Sequence, residues 1–283
     1  MTTANFTTHD TSIATATGLR WRRTIDELAD TKAGETIAVC IPARNEAATV
    51  AGVVAPVAKL HELGFVDELV VVDDASTDGT AAIAAAAGAT VVAGRGRGKG
   101  AALRAALQRT SADIVVFLDA DVTTPVDTHV PALVAPLLAD ASVQLVKPTY
   151  RRPLDGRPDE GGRVTELVAR PLLRRYFPDL AAAISQPLAG ETALRRAALD
   201  GTSLEDGYRI EIALLLFVYA RFGLHAIREV DLGERAHRNR PLRELTVCAE
   251  DVLAAVLDRI APPSVYVETS SSPADRSQME GAA

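Results

Sequence analysis

The stretch VVFLDADVTTP, Val115 to Pro125, runs an apolar, β-branched segment straight into two carboxylates, Asp119 and Asp121. Aspartate is a poor strand residue, and a desolvated carboxylate without a partner is costly or shifts its pKa. A buried strand that stops at such a pair is expected to stop beside something positive.

Working outward, the same grammar repeats. TIAVCIPA (Thr36–Ala43), VDELVVVDDAS (Val66–Ser76), TVVAG (Thr90–Gly94) and ADIVVFLDAD (Ala112–Asp121) read as buried strands. Helical segments separate them: NEAATVAGVVAPVAKLHELG, TDGTAAIAAAAGA and GKGAALRAALQRT. Four strands alternating with helices predict an α/β fold, a mostly parallel sheet with helices on both faces. Ligands of such sheets bind at the carboxyl ends of the strands. Those ends carry PARNE, DDAS, GRGRGKG and DAD, so four polar or glycine-rich segments meet on one rim.

Beyond Asp127 the alternation loosens. VQLVKPTY (Val143–Tyr150) reads as a further strand, VTELVARPLLRRY as a helix, IEIALLLFVYA (Ile210–Ala220) as a buried helix, and AIREVDLGERAHRNRPL as a strand followed by a loop. WRRTIDELADTKAG, from Trp21, reads as a short helix ended by Gly34. Met1–Thr17 and the Ser-rich tail from Glu268 are expected to be disordered.

The chain of 283 residues is 48% apolar and 24% charged, an ordinary globular balance. Aromatics are only 4%, so Ala, Val and Leu must build the core. A net charge of −7 argues against general nucleic-acid binding and leaves local basic clusters as the informative cations. The two cysteines, Cys40 and Cys248, sit in apolar patterns and read as buried thiols in a reducing cytoplasm. Neither a signal peptide nor a run near the ~18 apolar residues of a membrane span is legible.

Several constellations carry chemistry, each beside a plainer reading. Asp119-Ala120-Asp121 at a strand end suits Mg²⁺ or Mn²⁺ with a diphosphate, or is a solvated turn. GRGRGKG, with Arg95, Arg97 and Lys99 before a helix, is a phosphate loop or a basic surface loop. It is not a Walker A sequence, because no Ser or Thr follows Lys99. His237 lies among Arg235, Arg238 and Arg240 and reads as a site histidine or a structural one. GGRVTE (Gly161–Glu166) offers amides, a guanidinium and a hydroxyl at a helix start, for an anion or for simple capping.

Taken together, IPARNEAATV, VVDDASTDGT and DAD resemble nucleotide-sugar glycosyltransferases of the GT-A fold. VQLVKPTYRRPL, GGRVTELVARPLL, QPLAGE, GYRIEIALL and RAHRNRPL resemble, in order, the glucosyl-3-phosphoglycerate synthases of actinobacteria, from about Trp21 to Ile260. The resemblance implies a cytoplasmic, dimeric enzyme with a Rossmann-like sheet and a C-terminal acceptor-binding portion. Residues 18–127 would form the nucleotide-sugar-binding half and 128–267 the acceptor-binding half, between disordered segments 1–17 and 268–283. It implies transfer of glucose from UDP-glucose to 3-phosphoglycerate, with retention and with Mg²⁺ (or Mn²⁺).

Carried onto this sequence, the resemblance puts Pro42, Ala43, Arg44, Glu46 and Ser76 around the uridine. Lys99 goes to the diphosphate region, Asp119 and Ala120 to the ribose and uracil side, and Arg235 and Arg240 also to the donor. Asp121 and His237 would ligate the metal. Gly162, Arg163 and Thr165 would hold the acceptor phosphate, and Asn239 the glycerate end. Leu188 would present its carbonyl at the reacting centre, with Tyr208 and Glu211 lining the sugar and acceptor pocket.

Two features depart from the family pattern. The loop before GGRVTE is short, and Glu205–Asp206 precedes Tyr208 as an acid pair. That pair reads either as the base of an inverting enzyme or as a helix cap. Mannosyl transfer from GDP-mannose is a rival that changes only the donor. A polyprenyl-phosphate transferase lacks its membrane segment here. A nucleotidylyltransferase would carry its glycine loop after the first strand, and a non-catalytic sugar-nucleotide module would be expected to lose Asp121 and His237.

Overall fold

The computed structural model describes residues 12–14, 20–22, 29–123, 126, 128–151, 162–202, 204–234 and 242–260. The strands are β1 (Ser12–Ala14), β2 (Arg20–Arg22), β3 (Ile37–Ala43), β4 (Glu68–Asp73), β5 (Thr90–Ala93), β6 (Ile114–Phe117), β7 (Leu145–Arg151), β8 (Thr192–Arg195) and β9 (Ile227–Glu234). The α-helices are α1 (Val50–Glu62), α2 (Thr80–Ala86), α3 (Lys99–Arg109), α4 (His129–Ala139), α5 (Arg170–Tyr176), α6 (Pro178–Ala183), α7 (Ile210–Phe222) and α8 (Leu242–Ile260).

Seven strands make one sheet in the order β5-β4-β3-β6-β8-β7-β9. Pairing is parallel from β5 to β6 and again between β7 and β9; β8 alone runs against both its neighbours. The four strands read as a parallel set are therefore contiguous, and their carboxyl ends form one rim.

Strand alternation separates two cores. Ile37, Val39 and Ile41 of β3, with Ile114 and Val116 of β6, face α1 and α4. Cys40, Val115 and Phe117 face α3, α7 and α8. Burial pushes the Cys40 thiol up to about 12, as an inert core thiol requires. Cys248 is only half-buried, which corrects its reading as a core residue.

Several elements escaped the sequence pattern, α6 and α8 among them. Pro131 and Pro136 mask α4, whose first turn tolerates Pro131 because its amide needs no intrahelical partner. β8 is four residues long, and it is made a strand by its place between β6 and β7. β1 pairs antiparallel with β2, with Ile13 opposite Trp21. This corrects the expected disorder at Ser12–Ala14 and the expected helix at Trp21–Arg22, since β-branched and aromatic residues favour strands.

One helix is modified. VTELVARPLLRRY opens as a π-turn over Thr165–Ala169 and becomes α-helical from Arg170. Pro171 lies just beyond. In a regular helix its ring would strike the Leu167 carbonyl, and the wider turn relieves that clash.

Candidate active site

The rim opens into a cavity of about 490 Å³ between the two halves of the chain. Its donor-side wall begins at the end of β3, where Pro42, Ala43, Arg44 and Glu46 line it. This turn is stitched to the loop after β4. Asn45, with φ of 55°, donates its amide to Ser76 Oγ at 2.9 Å and accepts the Thr77 amide at 2.8 Å. The Glu46 amide donates to Thr80 Oγ1 at 2.9 Å. Ser76 is not among the lining residues: it holds the turn that presents Arg44 and Glu46.

The glycine-rich loop is organised from within. Asp74 is buried, and its carboxylate accepts the amides of Gly96 at 2.7 Å, Arg97 at 3.2 Å and Gly98 at 2.7 Å. Three amides read from sequence as available to a phosphate are thus taken by the protein's own anion. Gly94 must be a glycine, since a Cβ there would lie 2.8 Å from Asp74 Oδ1. The loop delivers Lys99 to the cavity as the first residue of α3.

Lys99 is the centre of the site. Its Nζ lies 2.6 Å from Asp119 Oδ1 and 2.8 Å from Glu211 Oε1. Burial would push this ammonium down, but the two carboxylates outweigh it and hold Lys99 above the usual lysine value. Asp119 follows β6, and Glu211 lies in the first turn of α7. The positive group that the DAD sequence demanded is therefore Lys99, for Asp119. Gly190 closes over the pair: a Cβ there would stand 2.5 Å from both Asp119 oxygens.

Asp121 and Ala120 line the cavity beside Asp119. Of the acceptor-side residues, Gly162, Arg163 and Thr165 line it from the start of the π-turn, and Leu188, Tyr208 and Glu211 face it from the later segments. Tyr208 is fixed by its amide, which donates to Asp251 Oδ2 at 2.9 Å. Arg235, His237, Asn239 and Arg240 lie outside the described residues.

The acid pair does not enter the cavity. Asp206 pairs with Arg104, and Glu205 pairs with Arg209 at 2.7 Å and with Arg259. Neither makes a side-chain cap, which corrects the capping reading; long arginines from α3, from the turn just before α7 and from α8 outcompete the local amides. Sequence reasoning also missed Asp74, Gly190, Leu245 and Cys248 among the lining residues. Leu245 and Cys248 come from α8, whose placement against the rim no local pattern announces.

The lining carries Arg44, Lys99 and Arg163 against Glu46, Asp74, Asp119, Asp121 and Glu211, two negative charges in excess. Among the described residues no cluster of three or more His, Cys, Asp or Glu forms a complete metal cage. Asp121 with ligand oxygens fits a hard divalent cation that keeps open positions, as Mg²⁺ and Mn²⁺ do.

Residues 38–195 match the family model described as Glycosyl transferase family 2. The chain is 46% identical over 261 residues to the glucosyl-3-phosphoglycerate synthase of Mycobacterium tuberculosis, covering 86% of this chain and 80% of that one. A crystal structure of the M. tuberculosis synthase with Mn²⁺, UDP-glucose and phosphoglyceric acid superposes with a TM-score of 0.80 at 46% identity, covering 87% of each chain. One with Mg²⁺ and UDP gives 0.78 at 46% identity, again over 87% of each chain.

Asp74→Ala removes the acceptor of three amides. A hydrogen bond to a charged group is worth about 1.5–3 kcal/mol, so stability in urea falls by at least that much. Hydrogen exchange at Gly96–Gly98 rises with it. Unchanged exchange in that loop would refute the clamp.

Proposed function

Because this chain belongs to glycosyl transferase family 2 and, within it, to the glucosyl-3-phosphoglycerate synthase family, we propose that it transfers glucose from UDP-glucose to 3-phosphoglycerate with retention at the anomeric carbon. Its architecture is the GT-A fold of those relatives. The observation that carries the reading is the single cavity shared by the Lys99–Asp119–Glu211 cluster, Asp121 and the Gly162–Thr165 turn.

The donor-side residues Pro42, Ala43, Arg44 and Glu46 cradle the nucleoside, with Ser76 behind them. Asp121 holds the cation together with His237. When bound, a divalent metal neutralises the departing diphosphate as a Lewis acid. Lys99 keeps Asp119 and Glu211 oriented in the sugar region, and Arg235 and Arg240 add positive charge at the donor. Gly162, Arg163 and Thr165 take the acceptor phosphate and Asn239 its carboxylate end, while Tyr208 walls the pocket. Leu188 turns its carbonyl to the reacting centre. Removal of the acceptor proton falls to the leaving phosphate, because Glu205 and Asp206 are engaged by arginines outside the cavity.

Incubation with UDP-glucose and 3-phosphoglycerate in the presence of Mg²⁺ gives an α-glucosyl product by NMR of the anomeric proton. Excess EDTA stops it, and Asp206→Asn retains kcat. GDP-mannose as the preferred donor would refute the donor assignment. A β-linked product, or a 10²–10⁴-fold loss in Asp206→Asn, the worth of a general base, would refute retention.

Arg163→Ala removes a charge-assisted contact worth about 2–5 kcal/mol. The acceptor KM rises by at least about 30-fold, while UDP binding by calorimetry is unchanged. Equal turnover of glycerate and 3-phosphoglycerate by the unaltered enzyme would remove the assignment.

Among the described residues no helix is long and apolar enough to cross a membrane. We place the enzyme in the cytoplasm as a homodimer, on the strength of the family resemblance. Light scattering gives twice the chain mass; a monomer at working concentration would overturn the assembly.

A further inference from the structure

Two buried charges stand on β7 and on the edge strand β9, and neither lines the cavity. Lys147 of β7 and Glu229 of β9 are direct register partners on adjacent parallel strands. Both are buried, Lys147 to 1% exposure. Leu145 and Ile227, two residues before them on each strand, belong to the core that faces α7, so alternation turns Lys147 and Glu229 toward that same side. Their polar atoms reach one segment, Ser185–Gly190, from its two ends. Glu229 Oε1 accepts the Ser185 amide at 2.7 Å, the Ser185 hydroxyl at 2.9 Å and the Gln186 amide at 3.2 Å. Lys147 Nζ donates to the Ala189 carbonyl, and to Thr192 Oγ1 at 3.1 Å just beyond the segment.

Between these two anchors lie Leu188 and Gly190, which line the cavity, Gly190 directly above the Lys99–Asp119 pair. Burying an ammonium is unfavourable, and here burial pushes the Lys147 ammonium down to about 8 against the attraction of Glu211, Asp119 and Glu229 and with the repulsion of Lys99. Burial also raises the Glu229 carboxyl against its three donors. A buried charged side chain is often no better for stability than an apolar one of equal volume. A pair kept at that cost, whose members both bond one active-site segment, is placed for geometry.

We propose that Lys147 and Glu229 are positioning residues for the transfer reaction: together they clamp Ser185–Gly190 and so set where Leu188 and Gly190 stand against the reacting centre. The inference rests on the proposed function for its kinetic consequence, but not for its structural one. Neither residue touches substrate.

The test uses Lys147→Met, Glu229→Gln and the double variant in the full-length enzyme. Hydrogen exchange of the peptide spanning Ser185–Gly190, without substrate, rises in Lys147→Met while the central strands β3 and β6 keep their protection. With UDP-glucose and 3-phosphoglycerate, kcat of Lys147→Met falls about 10- to 100-fold, the cost of a misplaced supporting shell, and both KM values stay within a factor of ~3. The double variant removes the charge left uncompensated in Lys147→Met, so its Tm rises above that single variant while kcat does not recover. Recovery of kcat together with Tm overturns the proposal, because the loss was then one of stability. Lys147→Met with kcat within twofold of the unaltered enzyme and unchanged loop exchange also overturns it. Should Lys147→Met fail to fold, the unaltered protein still decides: slow exchange at the Ser185 and Gln186 amides supports the clamp, and exchange at open-loop rates refutes it. A wild-type enzyme that is inactive with this substrate pair overturns the proposed function and leaves the exchange result to judge the clamp alone.

Discussion

The ion-paired node at Lys99 is the constraint on which the site depends. One ammonium joins the start of α3, the end of β6 and the first turn of α7, through contacts of 2.6 and 2.8 Å. These elements come from both halves of the chain, so the node ties the parallel sheet to the later helices at the point where the cavity opens. Two carboxylates this close would repel each other without it. With Lys99 between them they become an ordered acidic wall. Gly190 is then confined to a residue without Cβ, because the wall occupies the space a side chain would take.

Around that node the same physics recurs: charges satisfy backbone and one another before any ligand arrives. Asp74 gathers the amides of a glycine-rich loop that, from its glycines and cations alone, reads as a phosphate loop. The donor-side turn is held by Ser76, Thr80 and Asn45 rather than left pliant. Preorganised polar groups cost no reorganisation when charge develops in a transition state. The loops of this rim are thus closer to a rigid mould than to flexible arms.

What was legible in the sequence follows from range. Apolar runs such as IAVCIPA and IVVF are local signals, and their strands, the two-faced α/β sheet and the rim followed from them. The PARNE, DAD and GGRVT segments were legible as rim chemistry because each lies at an element boundary. The Lys99–Asp119–Glu211 node was not, since pairing of a helix start, a strand end and a second helix depends on sheet order. The β8 strand and the α8 wall, with Leu245 and Cys248, were hidden for the same reason. A lysine inside the apolar strand VQLVKPTY was visible, but its partner Glu229 is fixed only by the register of β7 on β9. The clamp on the glycine-rich loop by Asp74 reversed a local inference: free amides at a helix start are an anion site only until the fold supplies an anion of its own.

The disposition of the acids bears directly on the route of the acceptor proton. A base must reach the acceptor hydroxyl with a carboxylate not already committed elsewhere. Asp119 and Glu211 are committed to Lys99, and protonating either would break an ion pair that holds the wall in place. Glu205 and Asp206 point to arginines on α3, just before α7, and on α8. Asp121 is the carboxylate we give to the cation. Asp74 is committed to the amides of the glycine-rich loop, and Glu46 stands on the donor-side wall. In the reading we propose, the proton goes to the departing phosphate oxygen, which becomes more basic as the glycosidic bond to the donor lengthens. A proton delivered there comes from the same face that the diphosphate leaves, so the placement of these carboxylates accords with the retention we propose.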